Sequence, residues 1–390
     1  MADRDVLITG IGLVSSLGEG KDAHLRAFSG EGRPVVDSEH FAPVSVHPLP
    51  EIDWSLQIAR RDQRQMETWQ RLGTYAAGLA LDDAGLKTDE ERCARMHMIV
   101  AAGGGERDAE VDASILAAGL SRNDRDVLIN EKLMTELRPT LFLAQLANLL
   151  AGNISIVHKV TGSSRTVMGE EGAGIAAIES AVSTIAAGQA ECTLVGGAYN
   201  AAHWDMLLTY ALGGHLHTAP WKPVWQRQGE SGGGIVTGCG AAFLILESRA
   251  SADARGATGY ARLEQVVSQR GSDGDTFKDM IDRIAPETAA EAPLLTISGA
   301  SGAHGVTAAE REALSDTRRF AIRGMSTMTG HMKEAQFPFA VALAALAVAG
   351  GQGFPPFDPT EPDYDGAPRM ALATCAGYSR QQGAALVVSA

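Results

Sequence analysis

The chain has 390 residues, of which 44 are glycine, 45% are hydrophobic and only 5% aromatic. That length suits two domains or one duplicated domain, and the small-residue content suits helices packed closely on sheets; a disordered or collagen-like chain is excluded. The 33 Lys and Arg are outnumbered by 47 Asp and Glu, and a net charge of −14 repels nucleic acid and anionic lipid.

In chain order, Val6-Leu7-Ile8-Thr9 reads as a buried strand entering a tight turn at Gly10-Ile11-Gly12. Gln70 to Ala84 reads as a helix closing near Gly85, and Met96 to Ala102 as a strand ending in three glycines. Leu137 to Leu150 is expected as one helix, with Gly152 as its C-cap. A strand–turn–helix unit follows. Its turn is Met168-Gly169-Glu170-Glu171-Gly172-Ala173-Gly174, and its helix buries Ile175, Ile178, Val182 and Ile185 on one face before stopping at Ala187-Gly188. The strand Cys192 to Val195 then closes on Gly196-Gly197. A second unit has the same outline: Phe320 to Arg323, the turn Ser326 to His331, and a helix from about Phe337 to Ala349. Two such units suggest an internal duplication that meets near Glu247 to Gly256, and strands alternating with helices argue for parallel sheets covered on both faces.

Cys93, Cys192, Cys239 and Cys375 stand far apart, so neither a metal site nor a disulfide framework is expected, and a reducing, cytoplasmic compartment is. Asp3-Arg4-Asp5 before a short apolar run does not read as a signal peptide. The longest apolar stretch, Phe337 to Ala349, is too short to span a bilayer.

Three motifs invite chemistry. Gly10-Ile11-Gly12 is half of a dinucleotide fingerprint without the third glycine or the acidic residue. Gly229-Glu230-Ser231-Gly232-Gly233 matches a hydrolase elbow in letters, but the strand before it and the helix after it are missing, so a glycine loop is the better reading. The turn at Gly169 to Gly174 leads straight into a helix N-terminus, where a negative charge is favoured. Glu170 and Glu171 stand there, either as helix-capping carboxylates or as part of a site. His331 sits at the matching turn of the second unit.

Four segments together resemble the β-ketoacyl-acyl-carrier-protein synthases. Val6-Leu7-Ile8-Thr9-Gly10-Ile11-Gly12-Leu13-Val14-Ser15-Ser16-Leu17-Gly18 is similar to that family's V-V-I-T-G-x-G-x-V-S-P-L-G opening. Asn148 to Ile156 resembles N-M-x-A-G-x-x-S-I, Gly234 to Ala241 resembles G-F-V-x-G-E-G-A with Cys239 in place of the glutamate, and Met328-Thr329-Gly330-His331 resembles M-T-G-H. The resemblance implies a thiolase-like α/β fold of five αβαβα layers in two duplicated halves, 1–248 and 249–390, forming one compact unit.

The family's chemistry uses a cysteine, which carries the acyl chain as a thioester, and two histidines that assist decarboxylation and stabilise the oxyanion. An ungapped match from Gly162 to Gly174 puts Glu171 at the cysteine position. Gly299 falls at the first histidine position, with His304 reachable only through a gap; His331 is the retained second histidine; Ser326 stands at the lysine position. The G-A-A-G after the second histidine has become Glu334-Ala335-Gln336-Phe337, and the gating loop G-F-G-G has become Gly377-Tyr378-Ser379-Arg380. A carboxylate cannot hold an acyl thioester, so the ketosynthase reaction is expected to be lost on this chain.

A kept scaffold with altered chemistry resembles the chain-length factors, which pair with an active ketosynthase in fatty acid, polyketide, aryl polyene or very-long-chain acyl synthesis. The resemblance implies a catalytic ketosynthase partner in a heterodimer and an acyl carrier protein docked mainly on that partner. It implies no cofactor, no metal, and no contact with nucleic acid or membrane. It also makes Thr140, Leu141 and Phe142 the candidates for shaping the partner's acyl pocket. The competing readings are a malonyl-carrier decarboxylase or divergent synthase acting alone, and an acyl- or lipid-binding scaffold with no synthase partner. A contact between Glu171 and His331 is the first expectation for the structure.

Overall fold

The computed structural model describes residues 2–271, 274–285, 292–379 and 381–390, with 2 and 142–144 as backbone only. Among the described residues one sheet has eleven strands; ten follow one another in the order Phe320–Gly324, Leu294–Ser298, Met370–Ala376, Gln381–Val388, Ala261–Arg270, Val6–Ser15, Gly240–Ser248, Cys192–Tyr199, His97–Ala101 and Ser164–Val167, and the short Gly18–Glu19 pairs with Val6–Ser15 off this path. The ten divide into two runs of five that join where Val6–Ile8 pairs antiparallel with Ala261–Leu263. Each run has the same order. Its first strand in sequence lies antiparallel to its last, the last antiparallel to the fourth, and the fourth, second and third run parallel.

Two helices, Glu171–Ala186 and Gln336–Gly350, pack against strands of both runs and make the middle layer. The second is apolar all round, with Phe337 to Val348 buried without exception, as expected of a helix enclosed on every side. Thr68–Asp83 and Asn148–His158 cover the outer face of the first run; Gly274–Ile284 and Val306–Ala313 cover the second. The result is the expected five layers, helix–sheet–helix–sheet–helix. No helix among the described residues is long and apolar enough to cross a membrane.

The sheet is mixed where parallel sheets were expected, because each run's last strand lies antiparallel to its first and its fourth, a pairing that needs no helical crossover. The structure departs from the sequence reading in three further places. Gly10 and Gly12 form no turn, because the strand runs through them to Ser15; a Cβ at these positions would stand 2.4 Å from the Ala80 carbonyl oxygen and 2.0 Å from that of Ala76. These glycines therefore let the helix Thr68–Asp83 press on the strand. Gly196 and Gly197 likewise lie inside the strand Cys192–Tyr199, where side chains would strike the backbone of Ala242 and Ala101. The expected helix from Leu137 to Leu150 is two helices, Pro139–Ala144 and Asn148–His158. Gly152 lies within the second of these, and the left-handed Lys159 ends it.

Candidate functional site

The two strand–turn–helix units bring their turns together in the middle of the molecule. In the first, Ser164–Val167 delivers the chain through Gly169 (φ 143°) and Glu170 (φ 57°, ψ −133°) into the helix that opens with Glu171. The Glu171 carboxylate is 1% exposed and sits in the first helical turn, where the helix dipole favours it. In the second, the helix Ser326–Thr329 ends at Gly330 (φ 70°), where a Cβ would stand 2.7 Å from both His47 and the Thr237 carbonyl oxygen. His331 follows, and its backbone is pinned on both sides: its N–H donates to Val236 (2.8 Å) and its carbonyl accepts from Gly238 (2.9 Å).

His331 Nε2 lies 2.8 Å from Glu171 Oε1, with both side chains sealed from solvent. The two atoms are at contact distance without hydrogen-bond alignment, and the pair is held by the packing around it. Around it stands an aromatic wall. Tyr210 is edge-on to His331 (6.1 Å, 83°), Tyr378 packs on Tyr210 (5.6 Å) and on His215 (4.8 Å), and the Tyr378 hydroxyl donates to Glu170 Oε1 (3.1 Å). Burial, then the Glu170 charge, pushes the Tyr378 phenol up. Gly377 lets the chain pass Glu171, since a Cβ there would stand 3.3 Å from Oε2. Cys375 lies on the far side; burial, then the Glu171 charge, raises its thiol well above the ordinary value, so it is no nucleophile. Burial likewise pushes the Cys239 thiol up to about 12.

Gly299 and Ser326 are joined by one side chain. Gln336 Nε2 donates to the Gly299 carbonyl (3.1 Å) and to Ser326 Oγ (2.7 Å), while its Oε1 accepts from Met332 N–H (2.7 Å). A Cβ at Gly299 would stand 2.9 Å from the Thr374 carbonyl oxygen and 3.2 Å from Gln336 Cγ, so a histidine there would have to displace the amide. Beside this cluster, Glu310 Oε1 accepts from Ser298 and Thr374 hydroxyls at 2.7 Å each, and burial holds its carboxyl above the usual range.

Glu334 fills the remaining space. Its Oε1 would lie 2.4 Å from a Cβ on Gly103, and its backbone abuts Gly174 and Gly197. Lys333, held at φ 47°, brings Nζ within 3.6 Å of Glu334 Oε1 and 5.7 Å above the Tyr199 ring. The cavity left beside Gly103, Tyr199, Asn200 and Glu334 is about 10 Å³, at the margin for a single water. The arrangement thus offers a buried carboxylate–imidazole pair and an amide-bridged cluster, with no thiolate among the described residues.

The other expected residues are placed as follows. His304 bonds the Arg227 carbonyl through Nε2 (2.8 Å) and packs on Gly234, away from the Glu171–His331 contact. Ser231 is exposed and its hydroxyl pairs with Thr218 Oγ1 (3.0 Å), not with the histidine a hydrolase elbow needs. Thr140 is exposed and Leu141 buried on the helix Pro139–Ala144; the Phe142 side chain lies outside the described residues. Ser379 is exposed, and Arg380 also lies outside the described residues. Sequence reasoning missed the roles of Gln336, Glu334 and Tyr210. The only signal for the first two was the loss of three small residues after His331. Among the described residues no three His, Cys, Asp or Glu could together hold a metal ion.

Residues 53–252 match the family model for the β-ketoacyl synthase N-terminal domain. The chain is 26% identical over 358 residues to the 3-oxoacyl-[acyl-carrier-protein] synthase 2 of Vibrio harveyi, covering 85% of this chain and 83% of that one. Among solved structures it superimposes on a β-ketoacyl synthase from Burkholderia phymatum STM815 with a TM-score of 0.79 at 19% identity, and on the ishigamide ketosynthase/chain length factor with 0.78 at 21%. Each covers 99% of both chains. The fold is therefore the thiolase-like fold of the ketosynthases. With a family match across half its length, the chain belongs to the β-ketoacyl synthase family of fatty acid and polyketide synthesis.

Proposed function

We propose that this chain is the non-catalytic, chain-length-factor-like subunit of a β-ketoacyl synthase heterodimer. The observation that carries the reading is the state of the four family positions. Glu171 at the cysteine position is packed on His331, and Gln336 ties Gly299 and Ser326, at the first histidine and lysine positions, into one buried amide cluster. No acyl thioester can form on a carboxylate, and the surrounding space is filled by Glu334 and Gln336.

A partner is supported by the edge strand Ser164–Val167. The Ser163 and Val167 carbonyls bond inward, so the alternate residues Ser164 and Thr166 turn their N–H and C=O groups outward, flanked by exposed Ile156 and Met168. The repeated strand order supports two halves, 1–248 and 249–390, of one unit. The charge of −14 favours leaving an acidic carrier protein to the catalytic partner. Thr140, Leu141 and Phe142 are then the segment that shapes the partner's acyl pocket, Thr140 by its exposed side chain and Leu141 by packing beneath it.

The test is co-expression with a ketosynthase that keeps the cysteine and both histidines. The reading expects a heterodimer that elongates acyl chains, no elongation and no malonyl-carrier decarboxylation by this chain alone, and changed product lengths with Leu141→Ala. Robust decarboxylation by the isolated chain, or a partnerless homodimer in the presence of that ketosynthase, would sink it.

A further inference from the structure

Beneath His331 lies a second cluster that the Glu171 site does not use. The backbone of Thr237 bridges to His331 on one side and pairs with Val46, next to His47, on the other. Arg227 is fully buried here. Its Nε donates to the Lys222 carbonyl (2.7 Å), but Nη1 and Nη2 have no partner, and no carboxylate bonds it among the described residues. The nearest glutamate in sequence, Glu230, is engaged by Lys222 Nζ at 2.5 Å. The neighbours of Arg227 offer donors as well. Trp221 Nε1 and Thr237 Oγ1 are buried and unpartnered, and the Trp221 ring lies 6.3 Å from that of His47. His217 donates through Nε2 to the Pro220 carbonyl (3.1 Å), so the Nδ1 of its neutral ring is an acceptor and adds no donor.

A guanidinium sealed from water with two free nitrogens and no carboxylate beside it is costly to bury, and a buried cation flanked by free N–H and O–H groups is the chemistry that receives an anion. The charge of the cluster is one positive unit. Burial, then the Arg227 charge, pushes His47 down to about 3, and burial lowers His217 too, so both rings are neutral near pH 7. Full burial of Arg227, His47 and Thr237 admits only a small occupant. We infer that a small monovalent anion, of the size and charge of chloride, binds at the Arg227 guanidinium with Trp221 and Thr237 as further donors.

The inference does not depend on the chain lacking synthase activity, and its test reads stability alone. The purified full chain is unfolded thermally in gluconate and in chloride at constant ionic strength. Exchanging gluconate for about 200 mM chloride should raise Tm by roughly 2–4 °C, and Arg227→Met should abolish that dependence. Should Arg227→Met fail to fold, Trp221→Phe keeps the charge, removes one N–H, and should raise the half-saturating chloride concentration about tenfold. Crystals soaked in bromide should show anomalous density within hydrogen-bond distance of Arg227 Nη1 or Nη2. A wild-type Tm that is the same in both salts, a chloride dependence that survives Arg227→Met, an unchanged half-saturation in Trp221→Phe, or bromide density absent from Arg227 would each overturn the site.

Discussion

The strands Phe320–Gly324 and Ser164–Val167 hold the same place in their two runs, at opposite ends of one sheet, yet they are finished differently. Phe320–Gly324 is buried along its whole length. Arg323, fully buried, donates to the carbonyls of Phe354, Ile322 and Pro362, and Glu361 accepts from Gly324 N–H, Phe357 N–H and Trp225 Nε1. Ser164–Val167 has no such cover. The contrast extends inward. The second half supplies the side chains that close the site, Gln336 and Glu334, whereas the first half leaves an edge unfinished. An open edge is an aggregation hazard unless something pairs with it. In the proposed heterodimer the ketosynthase partner would be what pairs with it.

The largest effect is expected on the covered edge. Glu361→Ala removes one acceptor carboxyl and strands two buried donors and one part-buried donor, so it should cost about 3 kcal/mol or more in urea unfolding. A loss below about 1 kcal/mol would mean the cover is incidental. Thr166→Pro removes one outward N–H from the open edge without touching an inward bond. It should leave unfolding unchanged and weaken the ketosynthase partner about 100-fold, or ~2.7 kcal/mol, by titration calorimetry. Equal affinity for the two chains would break the comparison. Gln336→Leu should cost about 2 kcal/mol, because Met332 N–H, Ser326 Oγ and the Gly299 carbonyl lose their shared partner, while partner affinity stays the same.

The smallest effect is a matter of pH. Burial holds the Glu334 carboxyl above its ordinary 4.5. A raised carboxyl is protonated in folded and unfolded chains alike below that value, and it costs stability as pH rises from 4.5 toward its folded value. Glu334→Gln should therefore match the wild type near pH 4 and gain about 1 kcal/mol on it by pH 8. Parallel stability profiles would show that the carboxyl is ionised in place at no cost.

Much of this was legible in the sequence, for reasons that can be named. The helix Gln336–Gly350 and the turn at Glu171 follow from apolar runs broken by glycine, and the wholesale burial of Phe337 to Val348 leaves little ambiguity. Glu171 and His331 are 160 residues apart, and what brought them together in the sequence was the resemblance, which placed them at the family's cysteine and second-histidine positions, along with the matching outlines of the two units. Glycines were misleading where they relieve crowding between layers, as at Gly10, Gly12, Gly196 and Gly197, because turn glycines and packing glycines look alike in one dimension. Gln336 was opaque for a related reason. A glutamine at the start of an apolar helix looks like a polar cap, and its three bonds run to residues 4, 10 and 37 positions away. The open and covered edges were likewise invisible, because what separates them is the loop at Phe354 to Pro362, not the strands themselves.

The most direct test is intact-mass spectrometry of the co-purified heterodimer after incubation with an acyl-loaded carrier protein. The account predicts an acyl adduct on the ketosynthase partner and an unmodified mass for this chain. An acyl adduct on this chain would contradict it.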